Sequence, residues 1–309
     1  MKTIKDTVKL SVVVPVYNTE KYLKKCLNSL VHQTLENIEI IVINDGSTDN
    51  SAAICEYYAK EHKQIRFINN TENSGLSYVR NLGIAESLGD YIGFVDSDDY
   101  IEINMFEKLY KSIIKNNCDI AICNYIKLTE AGEVLHESKY YKNFNERVID
   151  NNINNLINIV NYGDIMAWNK LYKQHLFNDI QYPVKKTFED VQTTCKLIEK
   201  AEKIVYINDP LYYYISREDS ITTTRSINNH MNYISSLKNQ YDYLKHINPI
   251  LKTLAQNNFL SNLINLLRIY GDINKYPDEK NIIKGFLGEI EVSSNIPKKD
   301  WELLKTVEY

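Results

Sequence analysis

The sequence predicts an α/β fold: a mostly parallel β-sheet flanked by helices, with a helical region at the end of the chain. Two observations predict the sheet, because β-branched apolar runs alternate with stretches of helical periodicity and each run ends in a polar cluster. A third observation predicts the last region, where apolar residues recur at helical spacing from about Ser226, with breaks near Pro249 and Pro277. Strands that alternate with helices form right-handed βαβ units, which place neighbouring strands parallel.

The first 125 residues carry five predicted strands with helices between them. The first helix would have Asn18 or Thr19 as its N-cap, and the last would span Ile103–Asn116. Because ligands bind outside the carboxyl ends of parallel strands, the polar clusters PVYN, NDGSTD, NNTENSG and DSDD should converge on one rim. The predicted strands are Leu10–Tyr17, Ile38–Asn44, Ile65–Asn69, Tyr91–Val95 and Asp119–Asn124.

After residue 125 the pattern changes. A hairpin is predicted with its turn at Glu130–Glu133, and a helix that opens with acidic residues is predicted to run to Ala201. Composition shifts divide the chain into residues 1–125, 126–225 and 226–309.

The composition is that of an ordinary globular protein, with 25% charged residues and a formal net charge of −4. A nucleic-acid-binding protein would show a strongly basic balance, so no nucleic acid is expected as a partner. The five cysteines include no Cys-x-x-Cys pair, and we interpret them as reduced core thiols of a cytosolic protein. The polar N-terminus is unlike a signal peptide, and no run of about 18 apolar residues predicts a transmembrane helix.

The segment Gly93–Tyr100, GFVDSDDY, ends an apolar run in three carboxylates within four positions. Side chains alternate along a strand, so Asp96 and Asp98 would point the same way if the strand continues that far. Two such carboxylates can hold Mg²⁺ or Mn²⁺ together with phosphate oxygens of a substrate. The alternative is a solvated turn in which Asp98 or Asp99 caps the following helix, and the segment alone leaves both interpretations open.

Two other uses of this segment agree less well with its surroundings. An EF-hand loop starting at Asp96 would need glycine where Ile101 stands, and a helix before it instead of a strand. An aspartyl-phosphate phosphotransferase would carry its nucleophile after the first strand, where Pro15–Asn18 stand.

Several motifs taken together resemble family 2 glycosyltransferases, which have a GT-A fold with a Rossmann-like sheet. Over roughly the first 105 residues the motifs are SVVVPVYNTEKYLKKCLNSLVHQT, IEIIVINDGSTDNS, NSGLSYVRNLGI and YIGFVDSDD. The resemblance resumes with WNKLY, FEDV and YYYISREDSIT. The last 80 or so residues resemble no family that we can name.

The resemblance implies a nucleotide-sugar donor, usually a UDP-sugar. Asp45 would accept a hydrogen bond from the uracil ring nitrogen, and Gly75 would allow close backbone approach at a helix start. Asp96 would contact the ribose or a metal-bound water. The residues alone leave two alternatives open: Asp45 could belong to a turn and helix cap, and Arg80 could be a surface arginine. The other implied donor contacts are Pro15, Val16, Tyr17, Glu20, Asn73, Arg80, Ser97 and Arg217.

The resemblance also implies a metal and a base. Asp98, together with Asp96, would hold Mn²⁺ or Mg²⁺, which neutralises charge on the leaving nucleoside diphosphate. Within FEDV, Asp190 would be the base and Glu189 would face the acceptor. Adjacent, partly buried carboxylates should raise one pKa toward neutrality. From the residues alone, both would be first-turn partners of the helix dipole.

The remaining candidates lie after residue 125. Trp168 would be either a platform for a sugar ring or a core residue, and Lys170 would reach the acceptor or the diphosphate. Arg217 would begin a loop that closes over the donor. Further residues of that loop are Ser220 and Thr222, and candidates for a third metal ligand are His175 and His230.

These roles predict a cytoplasmic, inverting enzyme that transfers a hexose or N-acetylhexosamine from UDP. The acceptor would be a hydroxyl of a glycan or lipid-linked glycan precursor of cell-surface polysaccharide. The alternatives are a nucleotidyltransferase and a non-catalytic nucleotide- or carbohydrate-binding protein of the same fold. Leu260, Leu263, Ile264, Leu267 and Tyr270 share a helix face, which predicts core packing or a homodimer contact. A peripheral helix on the inner face of the membrane is the other interpretation of that face.

Overall fold

The structure is a computed structural model that describes residues 8–138, 144–217, 226–290 and 297–307. The chain divides into two compact units, Met1–Thr223 and Thr224–Tyr309. The first unit holds the β-sheet, and the described part of the second unit consists of helices and their connections. The predicted α/β class with a helical C-terminal region is confirmed.

Parallel strands alternate with helices at the start of the first unit. The elements in chain order are β1 (Leu10–Val16), α1 (Glu20–Val31), β2 (Ile38–Asp45), α2 (Ser51–Glu61), β3 (Ile65–Asn70), α3 (Leu76–Ala85), β4 (Tyr91–Phe94), β5 (Tyr100–Ile101) and α4 (Met105–Asn116). β1 pairs in parallel with β2 and β4, so that Val12 lies between Ile40 and Gly93. Every residue of β1 is buried, as expected for a parallel strand covered by helices on both faces.

The rest of the first unit extends the same sheet. Its elements are β6 (Ile120–Thr129), β7 (Val134–Glu137), β8 (Glu146–Ile149), α5 (Asn152–Tyr162), β9 (Lys170–Lys173), a 3₁₀ turn (Gln174–Phe177), α6 (Asp190–Lys200) and β10 (Ile204–Ser216). The strand order is β3-β2-β1-β4-β9-β6-β10-β5, with β7 paired to β6 and β8 paired to β10. The backbone N–H of Thr129 donates to Glu133 (2.8 Å), which confirms the predicted hairpin. Residue 125 falls inside β6, so one strand crosses the predicted boundary there.

The order of the strands creates a switch point between β1 and β4. The chain builds β2 and β3 on one side of β1 and then returns to place β4 on the other side. In open α/β sheets, ligands bind in the crevice outside the carboxyl ends of the strands at such a point. We call the loops at these ends the rim, which comprises residues 17–19, 46–50, 71–75 and 95–99.

The second unit is built around a long central helix. Its helices are α7 (Ile227–Leu244), α8 (Pro249–Tyr270), α9 (Pro277–Gly288) and α10 (Lys298–Lys305). α8 and α9 begin at the two prolines where breaks were predicted, because proline fits the first helical turn. Leu263 and Leu267 on the predicted apolar face of α8 are buried. Among the helices of the described stretches, none is long and apolar enough to cross a bilayer.

Gly83 lets α3 pack closely on β1. A Cβ atom at this position would lie 2.3 Å from Cγ1 of Val13, which is buried in the centre of the sheet. We expect Gly83→Ala to lower the free energy of unfolding by about 1–3 kcal/mol, because overpacking forces the helix away from the strand. Urea unfolding followed by circular dichroism measures this loss.

The matched control is Gly285→Ala in α9, where an added Cβ would meet no atom within 4 Å. That substitution should leave stability unchanged or raise it by about 0.5–1 kcal/mol, because alanine favours helix. Equal effects of the two substitutions would contradict the close packing of α3 on β1.

Candidate active site

The aspartate turn after β4 is anchored to β10. The Tyr212 hydroxyl accepts a hydrogen bond from the backbone N–H of Asp96 (3.2 Å) and donates one to Oδ2 of Asp99 (2.7 Å). The other oxygen of Asp99 accepts from the backbone N–H of Ile215 (2.8 Å). Asp99 is buried, so both of its oxygens serve to hold the turn in place.

Asp99 therefore does not cap a helix, which corrects one of the predicted roles. α4 begins only at Met105, and Asn104 occupies its N-cap position. Burial, followed by the charges of Asp98 and Asp96, raises the pKa of Asp99 well above its ordinary value.

Asp96 and Asp98 each pair with an arginine. Oδ1 of Asp96 lies 3.1 Å from Nη2 of Arg80, and Oδ2 of Asp98 lies 2.6 Å from Nε of Arg217. Burial raises the pKa of Asp98, the Arg217 guanidinium opposes that rise, and Asp96 adds to it. Between them Ser97 is buried, and its hydroxyl accepts a hydrogen bond from Thr19 (3.0 Å).

This pair of carboxylates fits a hard divalent cation. Mg²⁺ and Mn²⁺ need one or two protein carboxylates and complete their shell with phosphate oxygens and water. Each ion pair engages one oxygen of Asp96 or Asp98, and a cation would relieve the repulsion between the two groups. Across the described ranges, no group of three or more His, Cys, Asp or Glu side chains forms a metal site.

Of the two histidines considered as a third ligand, one lies in the first unit and one in the second. His175 follows β9, and its neighbour Gln174 donates a backbone hydrogen bond to Asp90 at the start of β4, opposite the rim. His230 belongs to the second unit, where its Nδ1 shares a hydrogen bond with the Tyr270 hydroxyl (2.8 Å).

Asp45 fastens the rim loop that precedes α3. Its carboxylate accepts the backbone N–H groups of Ser74 (3.0 Å) and Gly75 (2.8 Å). Gly75 has φ +90°, a conformation that favours glycine, and a Cβ there would meet no protein atom within 4 Å. The structure thus places Asp45 and Gly75 side by side and leaves Asn73 exposed on the rim.

Hydrogen bonds connect the loop after β1 to the loop after β2. The backbone N–H of Asn50 donates to Oε2 of Glu20 (2.8 Å), and the N–H of Glu20 donates to Oδ2 of Asp49 (3.0 Å). Asn18 accepts from the N–H of Thr48 (2.8 Å), whereas Thr19 occupies the N-cap position of α1 without a side-chain capping bond. Of the predicted base-pocket residues, the buried ones are Pro15 and Val16, and the exposed ones are Tyr17 and Glu20.

The candidate base lies at the start of α6. The pKa of Asp190 is raised to about 7, chiefly by burial and next by the charge of Glu189, while Arg80 opposes the rise. Phe188, just before this pair, has φ +56°, a left-handed conformation that is costly for a bulky side chain. Strained backbone of this kind persists only where the surrounding structure fixes it, and it concentrates at functional sites.

Arg80 links the two groups of carboxylates. Its Nη1 bonds Oε1 of Glu189 and its Nη2 bonds Asp96, so that one guanidinium spans the rim and the start of α6. Only 2% of the Arg80 side chain is exposed, which excludes the surface arginine that the residues alone suggested. Glu189 is equally buried, at 5% exposed, and its carboxylate faces Arg80.

Trp168 belongs to an aromatic stack. Its ring lies parallel to Tyr212, with centroids 4.1 Å apart, and Tyr214 lies beyond (5.8 Å). Tyr125 meets it edge-on at 5.1 Å. At 6% exposed, Trp168 is a core residue that supports Tyr212, and this favours the second of its two predicted roles.

Lys170 does not face the site, which corrects the predicted contact with the acceptor or diphosphate. Its ammonium is fully buried and donates to Asp164 (2.9 Å), Asn169 (2.6 Å) and the Met166 carbonyl (2.8 Å). An ammonium has three donors, so these bonds use all of them. Burial lowers the pKa of Lys170, and the charge of Asp164 opposes that effect.

Sequence reasoning missed Tyr212 and the pairing of Arg217 with Asp98. The signal for Tyr212 was its place in the apolar run LYYYIS, which predicts a strand but does not show which strand end its hydroxyl will reach. Ser220 and Thr222 lie outside the described residues.

We call the assembled group the carboxylate cluster, which comprises Asp96, Asp98, Asp99, Glu189 and Asp190 with Arg80 and Arg217.

Comparison with known proteins shows which family this chain resembles. A family model described as "Glycosyl transferase family 2" matches residues 11–180. The chain is 41% identical over 219 residues to "Glycosyltransferase GlyA" of Streptococcus pneumoniae serotype 4, covering 69% of this chain and 31% of GlyA. It is 36% identical over 220 residues to "Glycosyltransferase GlyG" of the same organism, covering 70% of this chain and 73% of GlyG. The match thus spans less than a third of GlyA and most of GlyG.

A solved structure shares the fold. The crystal structure of S. aureus TarS 1-349 in complex with UDP-GlcNAc superimposes with a TM-score of 0.73 and 22% sequence identity. The match covers 97% of this chain and 87% of the TarS chain. This likeness confirms the GT-A type of sheet that the motifs predicted.

The raised pKa of Asp190 makes stability depend on pH. The unfolded carboxyl loses its proton near pH 4 and the folded one near pH 7, so wild-type stability falls as pH rises through this window. Asn mimics the protonated form, so Asp190→Asn should stabilise the protein at pH 8, by about 4 kcal/mol at most, and have little effect at pH 4. Urea unfolding at the two pH values measures the difference.

Glu202→Gln is the control, because Glu202 is exposed just beyond the other end of α6. We expect it to change neither midpoint. A gain from Asp190→Asn that is as large at pH 4 as at pH 8 would show that the Asp190 carboxyl is not held protonated by the fold.

Proposed function

This chain belongs to glycosyl transferase family 2, and we propose that it transfers a sugar from a nucleotide-sugar donor to a hydroxyl group. One observation carries the proposal: Arg80 joins Asp96 of the rim to Glu189, the neighbour of Asp190. A carboxyl group suited to proton transfer therefore belongs to the same cluster as carboxylates suited to a phosphate-bound cation. Transfer of a sugar from a diphosphate to a hydroxyl needs both functions.

The donor that we propose is a UDP-linked hexose or N-acetylhexosamine. Support comes from the fold shared with TarS, whose structure contains UDP-GlcNAc, and from the rim at the switch point of the sheet. Asp45 and the exposed Asn73 are the polar groups proposed for the nucleoside, together with the residues that follow β1. Arg217 brings positive charge beside Asp98, which suits the diphosphate.

Asp98 and Asp96 are the residues that would hold Mn²⁺ or Mg²⁺. A bound cation would supply neutralisation of the charge that develops on the leaving UDP. Tyr212 and Asp99 keep the turn that carries both carboxylates in one conformation, so the pair is preorganised for this role.

Asp190 would act as the base. The oxygen of the acceptor hydroxyl forms a bond to the anomeric carbon while the bond from that carbon to the diphosphate oxygen breaks. The electron pair leaves with UDP, and Asp190 takes the proton of the hydroxyl. A single displacement of this kind inverts the anomeric configuration. A pKa raised to about 7 by burial suits a base that acts near neutral pH.

For the acceptor we propose a glycan or a lipid-linked glycan precursor of cell-surface polysaccharide. The family motifs support this class. Asp190 is half-buried, whereas the neighbouring Glu189 is buried against Arg80, so Asp190 is the carboxyl of this pair that we propose for the acceptor.

The direct test incubates the purified protein with Mn²⁺ and a panel of nucleotide sugars that includes UDP-sugars, measures binding by calorimetry, and detects nucleotide release by mass spectrometry. We expect slow release from at least one donor, lost when EDTA removes the cation. The absence of both binding and hydrolysis for every nucleotide sugar would refute the proposal. Tight donor binding without any turnover in the presence of acceptors would instead favour a non-catalytic binding protein.

Asp98→Asn should lower metal-dependent turnover of the preferred donor by at least about 100-fold, because it removes a charge that the cation requires. The measurement is UDP release as a function of Mn²⁺ concentration. Asp90→Asn is the control, since Asp90 is exposed at the opposite end of the same strand. Metal dependence that is identical in the two variants would remove Asp98 from the metal site.

Asp190→Asn should leave donor binding within about threefold and reduce transfer by about 10²–10⁴-fold, as expected for loss of a general base. Calorimetric titration with UDP measures binding, and product formation with an acceptor measures transfer. The control is again Glu202→Gln, which should keep both. Full transfer by Asp190→Asn would show that another group takes the proton.

A further inference from the structure

The surroundings of Arg80 indicate a role other than the donor contact that the family resemblance implies. We propose that Arg80 is a positioning residue, which holds the base-bearing start of α6 against the aspartate turn, and that it is not a ligand of the donor. The inference rests on the proposed function, because it concerns the distance between the base and the donor side of that same site.

The burial of Arg80 argues against contact with a donor. Its side chain is 2% exposed, and the guanidinium lies near the rings of Tyr182 (5.4 Å) and Phe94 (5.9 Å). Nη1 bonds Glu189 and Nη2 bonds Asp96, while Nε is buried without a hydrogen-bond partner in the described part of the chain. A group that is enclosed in this way presents no polar surface to a diphosphate.

The two partners of Arg80 come from separate segments. Asp96 lies 16 residues further along the chain, directly after β4, and Glu189 lies 109 residues further, next to Asp190. Burial works against the charged guanidinium, but Asp96 and Glu189 together outweigh it and raise the pKa of Arg80. The ion pairs of the charged Arg80 therefore connect the start of α6, which carries Asp190, to the rim.

α3 also forms hydrogen bonds to the segment that precedes α6, residues 178–189, at two further points. The side chain of Asn81 donates to the Tyr182 carbonyl (2.8 Å) and accepts the Tyr182 N–H (2.9 Å). The hydroxyl of Ser77 donates to the carbonyl of Lys186 (3.5 Å). Ser77, Arg80 and Asn81 of α3 thus all bond the segment that leads to Asp190. Of these three, Arg80 is the residue that bonds Glu189 at the start of α6. This second set of contacts supports a positioning role independently of the ion pairs.

Positioning predicts a specific kinetic change. A misplacement of about 1 Å between reacting groups costs on the order of 100-fold in rate, whereas binding of the donor is unaffected if Arg80 does not touch it. Arg80→Lys keeps the charge but loses the planar fork that spans two carboxylates. We expect kcat to fall by about 10–100-fold and the KM for the UDP-sugar to stay within about threefold.

The structure offers a matched control in Arg66. This arginine also bridges two carboxylates, with Nη1 3.0 Å from Glu39 and Nη2 2.8 Å from Glu86. It lies near the amino ends of β2 and β3, away from the rim. Arg66→Lys should leave kcat unchanged and lower the melting temperature less than Arg80→Lys does, because the Arg66 side chain is 39% exposed and that of Arg80 only 2%. Equal losses of kcat in the two variants would mean that Arg80 acts only through stability.

The pH profile separates positioning from simple loss of structure. The charges of Glu189 and Asp96 raise the pKa of Asp190 and that of Arg80 lowers it; Lys170, Tyr172 and Tyr182 also interact with it electrostatically. Arg80→Gln should therefore move the acid limb of kcat to higher pH, and Glu189→Gln should move it to lower pH. Glu189→Gln keeps an oxygen for Nη1, so it carries the test if the Arg80 variants do not fold. An unmoved limb in Glu189→Gln, together with unchanged kcat, would overturn the proposal.

The outcomes distinguish this inference from the proposed function. An inactive wild-type protein with every UDP-sugar would refute the function, and the positioning role with it. An active wild type whose Arg80→Lys variant has a KM for the donor raised at least tenfold at unchanged kcat would refute positioning alone. Arg80 would then be a donor ligand, and the transferase proposal would stand.

Discussion

Like charge at the carboxyl ends of the strands is the constraint on which the rest of the site depends. Three aspartates stand within four positions after β4, and the fold adds two carboxyl groups from the start of α6. Removing a carboxylate from water costs several kcal/mol unless charges and hydrogen-bond donors compensate. The compensation comes from residues far away in the sequence, namely Arg80 on α3, and Tyr212, Ile215 and Arg217 on or just after β10.

The partners of each carboxylate decide what it can do. Asp99 commits both oxygens to β10, so it serves the fold, whereas Asp96 and Asp98 each give one oxygen to an arginine. Glu189 and Asp190 are adjacent yet differ in the same way, because Glu189 is buried against Arg80 and Asp190 is half-buried. Catalytic roles are therefore proposed for the carboxylates whose oxygens are not both used in holding the fold. General acid–base catalysis and metal binding both need such oxygens.

The sheet could be predicted from sequence because its central strands are continuous apolar runs, and the predicted ends of β1 to β4 agree with the structure within one residue. α5 was missed, since its many asparagines mask the spacing of Leu156, Ile159 and Val160. The site was predicted as a set of residues at strand ends, but their partners were not. The sequence made Lys170 and Trp168 candidates for contact with the substrates, and only tertiary packing shows that both are buried.

The carboxylate cluster is short of positive charge, and this deficit explains its remaining features. Among the residues that the structure describes, two guanidinium groups pair with three of the five carboxyl groups. Burial, and after it repulsion from neighbouring carboxylates, raises the pKa values of Asp98, Asp99 and Asp190. A divalent cation brought with the phosphates of a donor would supply the missing charge at the rim, next to Asp98. A third arginine would make the cluster more stable by itself, but it would remove the attraction for that cation and the raised pKa that a base needs.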